Sequence, residues 1–275
     1  MRTIAVLAAV GLLLVGCSSE SETPSAGTDE PSTETIAIQA TEFQFIIPEE
    51  LPAGESAYVF ENVGGQPHFF EVVRIEDGVT DAEVEDALQS GEEPKWALGP
   101  GDGFGLLTPG QSVTATATYE PGAYVFFCFM PDTEGTEHAA LGMWKRVTVS
   151  EGISAVPAPD PDFTIEVGSD GWSLPDLSGV TGDVTFAITG SGKSQKHSFE
   201  VGRLLDESLQ PDEIEPALNG WLESGYQDPQ PLDLLGGLFS VEPGETRSLT
   251  ITLEPGTYLF HDEGNREADQ FVTIG

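Results

Sequence analysis

Four residues between positions 68 and 143 of this 275-residue chain carry side chains that bind copper in proteins. Cys128 offers a thiolate, Met143 a thioether, and His68 and His138 each offer an imidazole. Thiolate and thioether are soft ligands that suit Cu(I), whereas imidazole also accepts Cu(II), so a mixed set can hold both oxidation states. Together these four ligand types make up a blue-copper site, which transfers single electrons.

The segments around these residues resemble those of the cupredoxins, the family of plastocyanin-like and azurin-like blue-copper proteins. The strand Gly122-Ala-Tyr-Val-Phe-Phe-Cys128 matches the family pattern Gly-x-Tyr-x-Phe-x-Cys. Four residues separate His138 from Met143, as in the family. The segment Phe60-Glu-Asn-Val-Gly-Gly-Gln-Pro-His68 fits the turn that precedes the first family histidine.

The resemblance implies that His68, Cys128 and His138 surround one copper ion, with Met143 as a weak axial ligand. One departure is the spacer of nine residues between Cys128 and His138. Short-loop members have fewer residues there, and the copper nitrite reductases come closer. Four aromatic residues flank the ligands and would exclude water, although ordinary core packing explains them equally well: Phe69, Phe127, Phe129 and Trp144.

The second half of the chain repeats the first. Pro67-His-Phe-Phe-Glu-Val-Val-Arg74 matches Lys196-His-Ser-Phe-Glu-Val-Gly-Arg203, and Glu120-Pro-Gly-Ala-Tyr matches Glu254-Pro-Gly-Thr-Tyr. In this alignment His197 corresponds to His68, and His261 is placed opposite Cys128. The second repeat therefore lacks the thiolate. The segment from His261 to Asn265 could form a weak metal site of another kind, or its histidines could be structural residues held by hydrogen bonds.

Alternating apolar and polar residues, as in Val113-Thr-Ala-Thr-Ala-Thr-Tyr119, are typical of half-buried strands. Pro-Gly turns at regular spacing separate such strands. We therefore predict an all-β chain of two tandem Greek-key β-sandwich domains with a cupredoxin-like fold. One short helix is inserted in each, near residues 81–88 and 212–222, and Pro216 indicates an early position in the second helix.

The N-terminus has the features of a bacterial lipoprotein signal. A charged start is followed by an apolar stretch too short to span a bilayer, and then by Leu14-Val15-Gly16-Cys17. We expect residues 1–16 to be a signal peptide and Cys17 to carry lipid, although an ordinary signal peptide with a chance cysteine is the alternative. Cys128, the only other cysteine, then has no disulfide partner, and copper would protect it in an oxidising compartment.

These patterns divide the chain into five parts. They are the signal peptide 1–16, a lipidated and disordered tether 17–35, a copper-binding domain 36–150, a Pro-rich linker 151–162, and a degenerate domain 163–275. The net charge of −37 argues against a nucleic-acid partner, because phosphate binding needs a basic patch. It also makes a halophilic source plausible.

The sequence argues against a copper enzyme. Laccase-like oxidases need several His-x-His pairs, but the four histidines here form none. Copper nitrite reductases place a histidine just before the cysteine ligand, where this chain has Phe127. We expect an extracytoplasmic, membrane-anchored electron carrier with one copper in the first domain and an unidentified redox partner protein. A non-redox binding, scaffold or copper-delivery protein is the alternative.

Overall fold

The computed structural model describes residues 35–90, 94–99, 101–168, 171–192 and 196–275. The predicted signal peptide, the lipid attachment at Cys17 and nearly all of the tether lie outside these residues. All of the described residues belong to one compact unit. No helix in the described ranges is long and apolar enough to cross a membrane.

The first repeat contains nine strands and the one predicted helix. Its strands are β1 Ile36–Thr41, β2 Gln44–Ile46, β3 Glu50–Pro52, β4 Gly54–Asn62, β5 His68–Arg74, β6 Asp102–Leu107, β7 Ser112–Tyr119, β8 Gly122–Phe127 and β9 Trp144–Ser150. Helix α1 spans Asp81–Ser90 and buries Val84 and Leu88. Thr80 and Glu83 form a capping box at its start, which satisfies backbone N–H groups of the first turn.

The second repeat has the same order of elements. Its strands are β10 Phe163–Gly168, β11 Gly171–Trp172, β12 Gly182–Gly190, β13 His197–Leu204, β14 Leu232–Val241, β15 Thr246–Leu253, β16 Gly256–His261 and β17 Gln270–Ile274. Helix α2 spans Pro211–Glu223. The helix begins at Pro211, so Pro216 lies in its second turn rather than at its start. A short 3₁₀ helix spans Arg266–Ala268.

Two sheets run through both repeats. The first has eight strands in the order β11-β10-β12-β15-β7-β4-β1-β2, and the second has nine in the order β17-β16-β13-β14-β6-β5-β8-β9-β3. The mostly β character of the chain is confirmed. The prediction of two separate Greek-key sandwiches is not confirmed, because each sheet takes strands from both repeats. The division at residues 151–162 stays a prediction.

The repeats join through equivalent strands that pair antiparallel. In one sheet β7 pairs with β15, with Ala115 opposite Leu249. In the other sheet β6 pairs with β14, with Phe104 opposite Leu238. Because equivalent positions face each other, the junction has the geometry of a pseudo-two-fold interface between two copies of one unit.

A buried arginine crosses this junction. The Arg247 side chain on β15 is 3% exposed, and its Nη1 donates to Asp102 Oδ1 at 2.7 Å and to the Ser240 carbonyl at 2.6 Å. Its Nε donates to the Thr116 carbonyl at 2.9 Å. One guanidinium therefore satisfies acceptors from both repeats.

Replacing Arg247 with Met should destabilise the chain by about 3–5 kcal/mol, because two buried carbonyls and Asp102 lose their donor. The free energy of unfolding in urea measures this change. Arg146→Met is the matched control, since the partner of Arg146, Asp81, is 67% exposed. That control should cost about 1 kcal/mol or less. Equal losses in the two variants would contradict a special contribution from Arg247.

Candidate metal centre

Three of the four predicted ligands meet at one buried point of the first repeat. His68, Cys128 and His138 are each 0% exposed. One ligand atom from each of them lies within 4.8 Å of the other two. Within the described ranges, this is the single group of three or more His, Cys, Asp or Glu side chains that could hold a metal ion.

The spacing of the donor atoms fits a metal ion between them. His138 Nδ1 lies 3.1 Å from His68 Nδ1 and 3.7 Å from Cys128 Sγ. With bond lengths like those of zinc sites, angles of ~100–120° separate two nitrogens by ~3.1–3.6 Å, and nitrogen from sulfur by ~3.3–3.8 Å. The thiol and imidazole donors also match the chemistry of copper, so the residues present fit this ion.

The fourth predicted ligand, Met143, is buried, and its backbone lies beside two of these donors. It is 0% exposed. Its backbone N–H donates to the His138 carbonyl at 2.8 Å, and its carbonyl accepts from the Cys128 N–H at 3.3 Å. These two hydrogen bonds hold the backbone of Met143 beside His138 and Cys128.

A turn built by a buried asparagine positions His68. The Asn62 side chain donates to the carbonyls of Gln66 and Leu107 at 2.8 and 2.9 Å, and it accepts from the Gly64 N–H at 3.0 Å. The turn closes tightly over the imidazole, since a Cβ at Gly64 would lie 2.9 Å from His68 Nε2. At the start of β5, His68 pairs with Leu107 and Phe70 pairs with Phe104, so a β-bulge places one extra residue in β6 opposite this segment.

The nine-residue spacer folds away from the site as a small hairpin. The His138 N–H donates to the Met130 carbonyl at 2.8 Å, and the Ala139 N–H donates to the Cys128 carbonyl at 2.7 Å. Asp132 closes the tip by accepting from the backbone N–H groups of Glu134 and Thr136. The long spacer therefore leaves Cys128 and His138 as neighbours.

The second repeat also contacts this hairpin. The Tyr226 hydroxyl donates to the Pro131 carbonyl. The adjacent Gly225 has a φ of +63° and lies so close to Thr133 that a Cβ would meet its carbonyl oxygen at 2.6 Å. The segment after α2 thus supports the loop that carries His138.

Burial sets the protonation states of the three donors. It lowers the pKa of His68 to about 3, with a smaller contribution from His138, and lowers the pKa of His138 to about 4. Burial raises the pKa of the Cys128 thiol to about 12, opposed by backbone hydrogen bonds from Met130 and Phe69. At neutral pH both imidazoles are ready to bind a metal, whereas the thiol must lose its proton.

Copper binding should therefore release one proton per ion between about pH 5 and 10, and the apparent affinity should rise about tenfold per pH unit. Above the pKa of both imidazoles and below that of the thiol, Cys128 is the only ligand that gives up a proton. Titration with Cu(I) in unbuffered solution at constant pH measures this release. Cys128→Ser is the control and should release none. Release of two protons, or of none, by the unmodified chain would contradict this protonation scheme.

The predicted flanking aromatics pack in the core. The Phe127 and Phe129 rings lie 4.8 Å apart and belong to the cluster beneath α1, together with Trp144. Phe69 instead packs against Phe239 of the second repeat, with ring centroids 5.2 Å apart. The ring that lies against a ligand is Phe43, 5.1 Å from His138 in an edge-on contact. The sequence pattern did not indicate Phe43.

The structure corrects the alignment of the second repeat. Glu71 pairs with Phe127 across β5 and β8, and Glu200 pairs with His261 across β13 and β16. His261 is therefore equivalent to Phe127, and the position of Cys128 belongs to Asp262. An alignment without a gap from Glu254 onward would have shown this.

Asp262 turns the second copy of the site into a buried, hydrogen-bonded His–Asp pair. His197 Nδ1 lies 2.8 Å from Asp262 Oδ2, and the two side chains are 1% and 3% exposed. Asp262 Oδ1 also accepts from the Ser198 N–H at 3.1 Å. His261 points to Asp269 instead, at 2.8 Å. The segment from His261 to Asn265 is thus not assembled as a metal site.

Comparisons with known proteins found similar solved structures, all with low scores. No protein-family model and no curated protein matches it. Reduced auracyanin from Roseiflexus castenholzii is 26% identical, with a TM-score of 0.30 over 42% of this chain and 96% of its own. Auracyanin A of Chloroflexus aurantiacus, a "blue" copper protein, is 21% identical, with a TM-score of 0.29 over 42% of this chain and 98% of its own.

Another solved structure spans both repeats. A multicopper oxidase is 14% identical, with a TM-score of 0.24 over 87% of this chain and 88% of its own. The similar structures thus include enzymes as well as a blue-copper protein. Because all three scores are low, the interpretation of the site depends on its own geometry.

Proposed function

We propose that this protein is an extracytoplasmic, lipid-anchored type 1 copper protein that carries single electrons. One copper ion per chain would bind in the first repeat, held by His68, Cys128 and His138, with Met143 as the weak axial ligand. The observation that supports this most is the convergence of three buried donor atoms within 4.8 Å of one another, with the spacings from His138 to the other two donors in the range that suits one ion.

The protein would hold its ligands nearly still while the charge at the site changes. Copper, when bound there, supplies a one-electron couple. His68 is fixed by the Asn62 turn, and Cys128 lies at the end of β8 with its sulfur held by two backbone N–H groups. Phe43 and Gln66 cover the His138 ring, with Gln66 Oε1 at 3.3 Å from Nε2. Such a packed shell excludes water and tunes the redox potential.

A carrier fits these residues better than a copper enzyme does. Copper nitrite reductases bridge two coppers through a histidine beside the cysteine, and here Phe127 lies there within the apolar cluster under α1. The equivalent site in the second repeat is filled by the pair His197–Asp262. We therefore propose a protein that passes electrons to a partner protein without transforming a substrate.

Voltammetry of the copper-loaded protein tests the electron-carrier proposal. The expected result is one reversible one-electron wave, with oxidised and reduced forms that keep the same bound copper through repeated cycles. A chain that binds Cu(I) tightly but loses the metal on oxidation would instead be a copper-delivery protein. A chain that binds no copper would be a scaffold or binding protein.

The anchoring part of the proposal depends on the sequence Leu14-Val15-Gly16-Cys17. We propose that lipid on Cys17 attaches the mature chain to the outer face of a membrane, with a flexible tether of acidic and small polar residues. Mass spectrometry of the mature N-terminus decides this. An acylated Cys17 is expected, and an unmodified N-terminus at another residue would overturn it.

A further inference from the structure

A cavity of about 630 Å³ lies in the second repeat, between α2 and the face of the nine-stranded sheet. Ile214 and Leu218 of α2 form one wall, and Leu232, Leu234 and Leu259 of the sheet form the other. Its volume is within the range of small-molecule sites, ~300–1,000 Å³. It is separate from the metal centre, which belongs to the first repeat.

The equivalent space in the first repeat is filled. Beneath α1, the buried side chains of Val84 and Leu88 contact a cluster that includes Phe127, with Trp144 packed against it. In the second repeat His261 replaces Phe127, as the strand pairing shows. The smaller, polar ring of His261 fills less of the space beneath α2 than the phenyl ring of Phe127 fills beneath α1. It also gives the cavity one polar side.

The polar side of the cavity carries more negative than positive groups. Two basic side chains line it, His261 and Arg266. Four acidic residues line it as well: Glu200, Asp212, Glu215 and Asp269. Both basic groups have partners, since His261 Nδ1 lies 2.8 Å from Asp269 and Arg266 binds Glu215. His261 therefore interacts with two carboxyl groups: it is hydrogen-bonded to Asp269, and it interacts electrostatically with Glu200.

We propose that this cavity binds a small organic cation with an apolar body and a protonated amino group. The leucine walls would bury the body, and the amino group would lie against Glu200, the carboxylate paired with His261 across the strands. Burial raises the pKa of Glu200 to about 7, opposed by His261. A cation bound beside Glu200 would stabilise the ionised carboxylate, which burial disfavours. An anionic ligand would meet the surplus of carboxylates and is disfavoured.

The test compares two probes of similar shape and opposite charge on the full chain: 2-phenylethylamine and 3-phenylpropanoate. Isothermal titration at about 0.5 M salt screens the acidic surface, so binding there contributes little. We expect saturable binding of one amine per chain and at least tenfold weaker binding of the carboxylate. Chemical-shift changes should centre on the methyl groups of Leu218 and Leu234.

Glu200→Gln should weaken amine binding at least tenfold. Glu71→Gln is the matched control, because Glu71 is the equivalent residue above the filled space, and it should leave amine binding unchanged. Failure of the amine to bind at millimolar concentration, or equal binding of both probes, would overturn the proposal. The comparison of the two probes on the unmodified chain decides it even if a variant folds poorly.

Discussion

Replacing Cys128 with Ser should abolish the intense visible band of the copper-loaded protein and weaken copper binding by on the order of 100-fold or more. The thiolate would be the single anionic donor of the group, and its charge transfer to bound Cu(II) would produce the band. A hydroxyl is a hard and neutral donor that cannot replace it. The absorption spectrum and a competition titration with a chelator measure the two effects.

Asp262→Asn is the matched control for this variant. It changes the residue that occupies the position of Cys128 in the second repeat, where it bonds His197 and not the metal centre. The band and the copper affinity should be unchanged. If Cys128→Ser kept the band, or Asp262→Asn lost it, the thiolate at Cys128 would not be the origin of the colour.

Replacing His68 with Ala should weaken copper binding about as strongly, because it removes one of the three converging donors and admits water to a buried position. The equivalent change, His197→Ala, should leave copper binding intact. It should instead destabilise the fold by about 1–3 kcal/mol, because Asp262 Oδ2 would lose its buried partner while Oδ1 keeps its bond to the Ser198 N–H.

Copper titration and urea unfolding of the two variants separate these effects. The expected pattern is a loss of affinity in one variant and a loss of stability in the other. Copper binding weakened equally by both changes would mean that the second repeat takes part in the site, contrary to the assignment to the first repeat.

The sequence predicted the local elements well because short patterns determine them. Alternation along β7 and the Pro-Gly turns indicated strands, and the spacing of Val84 and Leu88 indicated a helix. Likewise His68, Cys128 and His138 carry recognisable neighbours, and the structure brings the three together. A one-residue shift in the repeat alignment hid the equivalence of Cys128 and Asp262.

Long-range features could not be predicted in this way. The continuous sheets depend on pairing between β6 and β14 and between β7 and β15, which no local pattern specifies. The hairpin after Cys128 depends on Asp132 accepting hydrogen bonds from its own turn and on Tyr226 reaching it from the other repeat. The cavity beneath α2 is lined by side chains from α2 and from several strands that are distant in sequence, so no local pattern indicates it.

The most direct test of the proposed copper site is a titration of the metal-free protein with Cu(II), followed by visible absorption. The predicted result is an intense thiolate-to-copper band that grows linearly and stops at one copper per chain, as one set of converging donors requires. A colourless complex, or a band that continues to grow to two coppers per chain, would contradict the assignment of a single blue-copper centre to His68, Cys128, His138 and Met143.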